Sequence, residues 1–254
     1  MSIIVDSATD RFERTTALPL ISECTMAGWF YRTATRSVYC NPIEIFTSNP
    51  SNKSWYIQIR PNAEGTWRLG YFSSGYSGFT SFSSLPAINT WFYLAMVTNY
   101  NNLPGYAYWW NSNGVLQSAV SYTATETVTH TATTAVWGCN KAEAANDYHI
   151  LGKISNGRLW NRRLSYQELV SQMFQPTIIR ESDINSAFGN TSTLDISSYK
   201  RDWVNTDLTY DHSSPPLLPA KKYHYFLVPE YEPYVEPVDS TPILSDSKFI
   251  PLIL

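Results

Sequence analysis

The chain has 254 residues, a formal net charge of −3 and 15% charged residues, against about 25% in an ordinary globular domain. That length can bury a sizeable core, and one β-sandwich with an extension accounts for it. Cations are too sparse for nucleic acid as a partner, because phosphate neutralisation takes many Lys and Arg side chains and the basic residues cluster only at Arg158, Arg162 and Arg163.

Residues Met1 to Arg14 lack a basic start followed by an apolar run, so no secretory signal is expected. No stretch approaches the roughly 18 apolar residues of a membrane span. From Ser2 to Val97 the chain reads as short strands over Ile3–Val5, Thr15–Leu20, Cys24–Tyr31, Ile43–Thr47, Trp55–Arg60, Trp67–Phe72 and Trp91–Val97. They alternate and are rich in β-branched and aromatic residues. Asn41-Pro42, Asn49-Pro50, Asn62 to Gly65 and Ser73 to Gly78 supply turns through their Gly, Pro and Asn content. Regular strand spacing without a repeated helix points to an antiparallel sandwich.

Tyr106–Asn111 and Val115–Ser121 flank Asn113-Gly114, a hairpin signal because both residues tolerate positive φ. The first of these strands carries Tyr106, Tyr108, Trp109 and Trp110. Such residues either stack on sugar rings or fill the core and pair across strands. Thr127–Thr133 and Ala135–Gly138 continue the sheet.

Gly152 to Met173 holds the clearest pattern in the chain. A strand with Ile154, Arg158 and Trp160 on one parity and Leu159 on the other leads into a helix. Ser165 and Glu168 form an S-x-x-E capping box, and Leu164 and Leu169 take the staple positions. Tyr166, Leu169, Val170 and Met173 recur at helical spacing, which predicts an apolar stripe lying on the sheet. Pro176 ends the helix.

This closing stretch, Gly-x-Ile-x-x-x-Arg-Leu-Trp-Asn-Arg-x-Leu-Ser-x-x-Glu-Leu, resembles the end of laminin-G-like, concanavalin A-like jelly-roll domains. Thr25-Met-Ala-Gly-Trp-Phe-Tyr-Arg32 and Asn89-Thr-Trp-Phe-Tyr-Leu-Ala-Met-Val-Thr98 are similar to two earlier strands of that family. The resemblance spans roughly Ile3 to Phe174 and implies an all-β jelly roll with one short helix. Ser155 and Asn156 stand where the family often has an Asp-Glu pair. Jelly-roll glucanases use two nearby carboxylates in an E-x-D-x-x-E or E-x-D-x-E pattern, which this chain lacks. Glu44 stands alone in Pro-Ile-Glu-Ile-Phe.

Other chemistry is sparse. His130, His149, His212 and His224 have neither paired spacing nor a nucleophile partner, and no phosphate-binding glycine loop is present. The three cysteines, Cys24, Cys40 and Cys139, lack metal-ligand spacing and are expected as reduced thiols of a protein folded in a reducing cytosol. Asn140, Glu143, Asn146 and Asp147 form a loop that either binds calcium or is simply solvated. No cofactor and no metal are expected.

The domain expectation is a jelly roll over 1–176, an irregular segment packed on it over 177–212, and an extended arm over 213–254. Arg201-Asp-Trp203 followed by Leu208-Thr-Tyr210 resembles a trailing segment of phage-encoded proteins with such domains. The arm contains eight of the fifteen prolines, which exclude a normal helix or a central strand. Yet Tyr223, Tyr225, Phe226, Tyr231, Tyr234, Phe249, Ile250, Leu252, Ile253 and Leu254 are too apolar to leave in water. They are expected to bind a partner surface.

Together these readings suggest a non-enzymatic structural and interaction protein of a virus particle, such as a capsid decoration (cement) protein. It would fold in the host cytoplasm and attach to the major capsid or other virion subunits, or to its own copies. A glycan-binding, lectin-like adhesion module and a tail or fibre component are the alternatives.

Overall fold

The computed structural model describes residues 2–6, 11–14, 23–35, 40–46, 54–59, 67–73, 76–99, 104–123, 134–138, 150–175, 184–187, 204–206, 209–211 and 215–216. Its strands are β1 Ser2–Val5, β2 Arg11–Arg14, β3 Glu23–Arg32, β4 Cys40–Phe46, β5 Ser54–Ile59, β6 Trp67–Ser73, β7 Tyr76–Ser81 and β8 Trp91–Asn99. They continue with β9 Gly105–Asn111, β10 Leu116–Tyr122, β11 Thr134–Trp137, β12 Gly152–Trp160, β13 Ile184–Ala187, β14 Val204–Thr206 and β15 Thr209–Asp211. The helix among the described residues is α1, Tyr166–Met173.

The strands build two antiparallel sheets. One has eight strands in the order β10-β9-β8-β3-β12-β1-β15, with β13 also pairing β12; the other has seven in the order β14-β2-β11-β4-β5-β6-β7. The main core lies between them. Ile3, Met26, Phe30, Phe92, Leu94, Trp109, Ile154 and Leu159 of the first sheet meet Ile43, Ile45, Trp55, Ile57, Trp67, Leu69, Tyr71 and Trp137 of the second. This is an antiparallel sandwich of the concanavalin A-like jelly-roll type. Interior residues alternate with outward ones along the strands except at the register shifts in β4, β10 and β12.

The outer face of the eight-stranded sheet carries a second apolar cluster. Ala27, Trp29, Tyr93, Ala95, Val97, Trp110 and Trp160 of the strands pack against Leu164, Leu169 and Met173 at the helix. The expected stripe is narrower than its spacing suggests. Leu169 and Met173 are buried, but Tyr166 and Val170 are 38% and 37% exposed, because an eight-residue helix lying on a sheet turns only one edge inward.

A β-bulge in β12 corrects the parity reading of that strand. Ser155 pairs Trp29 and Arg158 pairs Ala27, so Asn156 and Gly157 oppose the single residue Gly28. Asn156 has φ 52°, and a Cβ on Gly28 would stand 3.3 Å from Gly157 Cα. The extra residue resets the alternation. Ile154 and Leu159 both face the interior, while Arg158 and Trp160 turn toward α1.

Other elements also depart from expectation. The Ser73 to Gly78 stretch was expected as turn, yet β6 reaches Ser73, which pairs with Tyr76 at the start of β7. Gly78 and the serines of Tyr-Ser-Gly-Phe-Thr-Ser read as turn, although Tyr76, Phe79 and Thr80 suit an edge strand. At the β9–β10 hairpin only Gly114 has positive φ, 76°. Asn111 Oδ1 instead accepts from the amides of Asn113 and Val115, each at 3.0 Å, giving a three-residue loop closed by glycine. Within 177–212, where the sequence also allows short elements at Asp183–Phe188 and Trp203–Tyr210, β13, β14 and β15 extend the sheets by pairing β12, β2 and β1.

Met1–Pro219 forms one compact unit and Ala220–Leu254 another. The expected strands Thr15–Leu20 and Thr127–Thr133 lie outside the described residues, as do Cys139, the four histidines, the calcium-loop candidates and every named residue of the arm. No described helix is long and apolar enough to cross a membrane.

Candidate ligand-recognition site

The outward positions of β11 and β4 to β7 form a row across the seven-stranded sheet. Val136 pairs Glu44, Glu44 pairs Tyr56, Tyr56 pairs Gly70 and Gly70 pairs Phe79. Beside it, Gln58 pairs Arg68. These residues face outward because Ile43, Ile45, Trp55, Ile57, Ile59, Trp67 and Leu69 point into the core between them.

The row is graded in exposure. Val136 is fully buried, Glu44 is 1% exposed, Tyr56 6%, and Phe79 46%. Gly70 is needed for this arrangement, since a Cβ there would stand 2.6 Å from the Tyr56 hydroxyl oxygen. The Tyr56 ring therefore lies over β6, where a side chain would otherwise be.

A hydrogen-bonded relay runs through the same face. Asn41 Nδ2 donates to Glu44 Oε2 at 3.4 Å, and Gln58 Nε2 donates to Asn41 Oδ1 at 3.1 Å. Arg68 donates from Nε to Gln58 Oε1 at 2.9 Å and also from Nη2. The Arg68 guanidinium carbon sits 4.3 Å from the Phe79 ring centre, a cation–π contact. Asn41, Glu44 and Gln58 are buried, at 1%, 1% and 9% exposure, so the exposed part of this face is the Phe79 ring with the half-buried Arg68 against it.

Of these residues, sequence reasoning singled out Glu44 alone. A signal was nonetheless present. In Ile43-Glu-Ile, Trp55-Tyr-Ile-Gln-Ile and Trp67-Arg-Leu, polar residues interrupt apolar strands at period two, which places them on one outward face.

The sugar-platform candidates have different surroundings. Trp109 faces the main core and its indole donates to Ser84 O at 3.1 Å; Trp110 is fully buried beneath α1. Neither offers a ring face to a ligand, because consecutive residues of a strand lying between a core and a helix are buried on both sides. Tyr106 and Tyr108 stay partly exposed but form a ladder with Trp110. Their centroids are 6.4 Å and 5.6 Å apart at interplanar angles of 17° and 29°. Arg163 covers Tyr106 at 5.3 Å, and Tyr166 lies 5.9 Å from Tyr108. Burial, the largest influence, pushes the Tyr108 hydroxyl pKa up.

Cys24 and Cys40 are buried, and burial pushes the Cys24 thiol up to about 12, although its contact with Thr98 Oγ1 acts in the opposite direction. Among the described residues no three His, Cys, Asp or Glu side chains gather as metal ligands.

Fold and face together define a lectin-type β-sandwich with a polar, aromatic-edged outer sheet. The Laminin_G_3 family model, described as the concanavalin A-like lectin/glucanases superfamily, matches residues 7–170, and the chain belongs to this family. No curated protein matches it in sequence. Among solved structures it is similar to a carbohydrate-binding protein of Bacteroides ovatus, described as putative, with TM-score 0.56 and 10% identity, covering 84% of this chain and 61% of that one. A heptameric SAP-like pentraxin of Limulus polyphemus is similar with TM-score 0.52 and 15% identity, over 84% and 92% of the two chains. The CBM40 of a Ruminococcus gnavus IT-sialidase, bound to α2,3-sialyllactose, is similar with TM-score 0.51 and 12% identity, over 67% and 94%. At these identities the likeness is one of fold.

Proposed function

We propose that this chain is a non-catalytic carbohydrate-recognition module that binds a glycan on the outer face of β5, β6 and β7. The observation that carries this reading is the Phe79 ring, 46% exposed, with the Arg68 guanidinium packed 4.3 Å from its centre and held there by Gln58. Sugars present hydroxyl groups around an apolar ring face, and planar hydrogen-bonding side chains beside an aromatic ring match both features. Membership of a lectin and glucanase superfamily is consistent with it.

Catalysis is set aside on composition. Glycoside hydrolysis uses a pair of carboxylates, and β4 to β7 contain Glu44 alone. Its one carboxylate is nearly fully buried at the inner end of the row. The test is a glycan array probed with the full chain and with Phe79→Ala and Gln58→Ala. Binding that both variants lose supports the reading, and binding that both retain contradicts it.

A second reading concerns where the module works, and it rests on the proline-rich, apolar composition of 213–254. Proline pre-extends a segment and lowers the entropy lost on docking. Such an arm suits attachment to neighbouring subunits of a virus particle, as a capsid decoration, tail or fibre component, or to another copy of the chain. Pro215 is buried and the first compact unit runs to Pro219, so the cut that tests the arm falls after Pro219 rather than at 213. The shortened chain is expected to fold yet fail to co-purify with particles. Equal incorporation would remove the arm from the account.

A further inference from the structure

We infer that Tyr106, Tyr108, Tyr166 and Arg163, on the outer face of the eight-stranded sheet beside α1, bind a tetrahedral oxyanion, the head of a phosphate or sulfate monoester. This inference is independent of the glycan-recognition reading, because β9 belongs to one sheet and β5 to β7 to the other.

Three separate segments bring these groups together. Tyr106 and Tyr108 are two residues apart on β9 and share its outer face, Tyr166 opens α1, and Arg163 lies in the turn between β12 and the helix. Tyr106 and Tyr108 stack at 6.4 Å, while Tyr166 meets Tyr108 at 5.9 Å and Trp110 at 6.0 Å. Arg163 and Trp110 take up the outer sides of the Tyr106–Tyr108 pair, which closes its ring faces to a stacking sugar. The hydroxyls are what remains to offer. Tyr106 and Tyr108 are half-buried and Tyr166 is 38% exposed, yet among the described residues no hydroxyl of the three has a hydrogen-bond partner.

Arg163 supplies the charge. Its Nη2 donates to Pro104 O at 2.9 Å and its guanidinium lies 5.3 Å from the Tyr106 ring centre, so one of five N–H groups and one face are engaged before any ligand arrives. No described carboxylate pairs with Arg163, and the acidic residue of α1, Glu168, pairs with Arg162 at 2.6 Å. The cation is positioned but not neutralised. The Tyr108 hydroxyl registers its neighbours as well. After burial, which raises its pKa most, Tyr106 raises it, Arg163 lowers it and Tyr166 raises it.

A guanidinium only donates, and phenol hydroxyls can donate, so several donors around one unneutralised cation suit a ligand rich in acceptors. A planar carboxylate has two oxygens, and the guanidinium fork takes up both. A phosphate or sulfate monoester has three terminal oxygens. Two can meet the fork while the third accepts from a hydroxyl.

The experiment titrates methyl phosphate, inorganic sulfate and malonate into the full chain at constant ionic strength and near-neutral pH, where each carries about two negative charges. NMR follows the Arg163 Nε–H and tyrosine ring signals. Saturable shifts are expected with the two tetrahedral ions, at affinities about threefold or more above that for malonate, and the tighter of the two identifies the ester. Arg163→Gln is expected to weaken their binding about tenfold or more. Tyr108→Phe and Tyr166→Phe, which remove only a hydroxyl, are expected to weaken it about three- to tenfold each, and they carry the test if Arg163→Gln does not fold. No saturable shift, malonate bound as tightly as the tetrahedral ions, or phenylalanine variants that bind like the parent would each overturn the site. The glycan array tests the β5–β7 face separately, so the two readings fail independently.

Discussion

Arg158 of β12 holds the last turn of α1 by donating from Nη1 to Gln172 O at 3.0 Å and to Gln172 Oε1 at 2.8 Å. Its other terminal nitrogen donates to Gln175 O, and Trp29 Nε1 donates to Met173 O at 2.7 Å. The final carbonyls of a helix have no partner within it, and here two strand side chains supply the donors. A buried cation at a helix C-terminus is also favoured by the helix dipole. The bulge at Asn156-Gly157 turns Arg158 toward the helix, so the closing stretch of this chain encodes a clamp.

Replacing Arg158 with Met keeps the bulk of the side chain but removes these donors. The expected loss is about 1.5–3 kcal/mol, the worth of hydrogen bonds to a charged group, because Gln172 O keeps the Gln175 amide at 3.3 Å and Gln175 O keeps Asn156 Nδ2 at 3.5 Å. Reversible chemical denaturation measures it. A midpoint unchanged from the parent would mean that α1 does not depend on the clamp.

Gly152 is the other fixed point of the motif. A Cβ there would collide with the carbonyl oxygen of Tyr31 and stand 2.8 Å from its carbon, both backbone atoms of β3. Gly152→Ala is therefore expected to destabilise the fold by about 1–3 kcal/mol or more, as overpacking does. A wild-type melting temperature for this variant would contradict the β12–β3 spacing.

The capping box gives a pH dependence of known sign. Glu168 Oε2 accepts from Ser165 N at 2.7 Å, and Glu168 N donates to Ser165 Oγ at 3.3 Å. The Ser165 backbone bond, the largest cause, lowers the Glu168 pKa below its ordinary 4.5. A lowered folded pKa means stability present above the unfolded value and lost as pH falls through the folded one. The Glu168→Gln variant should therefore lose its stability deficit relative to the parent on acidification below about 4.5. Ser165→Ala should cost about 0.5–2 kcal/mol at neutral pH. A deficit in Glu168→Gln that grows on acidification would reverse the assignment.

The elements written in local pattern were legible in the sequence. Ser165 and Glu168 three residues apart announced the helix, and the Trp29, Trp91 and Trp160 motifs announced strands of the sandwich. What escaped depends on register between distant strands. Nothing local tells that Asn156 and Gly157 share one partner, so the parity of Arg158 was read against the wrong face. The relay was missed for the same reason, because Asn41, Gln58 and Arg68 become neighbours only when β4, β5 and β6 pair. Trp109 and Trp110 drew attention by composition, which cannot separate a stacking platform from a strand buried on both faces.

That distinction is testable in stability and binding together. Trp109→Ala should cost about 3–5 kcal/mol as a core truncation. Phe79→Ala, at a position 46% exposed, should change stability by within about 0.5 kcal/mol while weakening glycan binding. The reverse pattern would move the binding surface to the β9 ladder.

The central claim is that ligand meets the outer face of β5 to β7, and amide and side-chain shift mapping by NMR tests it directly. A glycan selected from the array would be titrated into the full chain. Shifts are predicted at Gln58, Arg68 and Phe79, with Tyr106, Tyr108 and Tyr166 unmoved. Shifts confined to those tyrosines, with Gln58, Arg68 and Phe79 unchanged at saturation, would contradict the account.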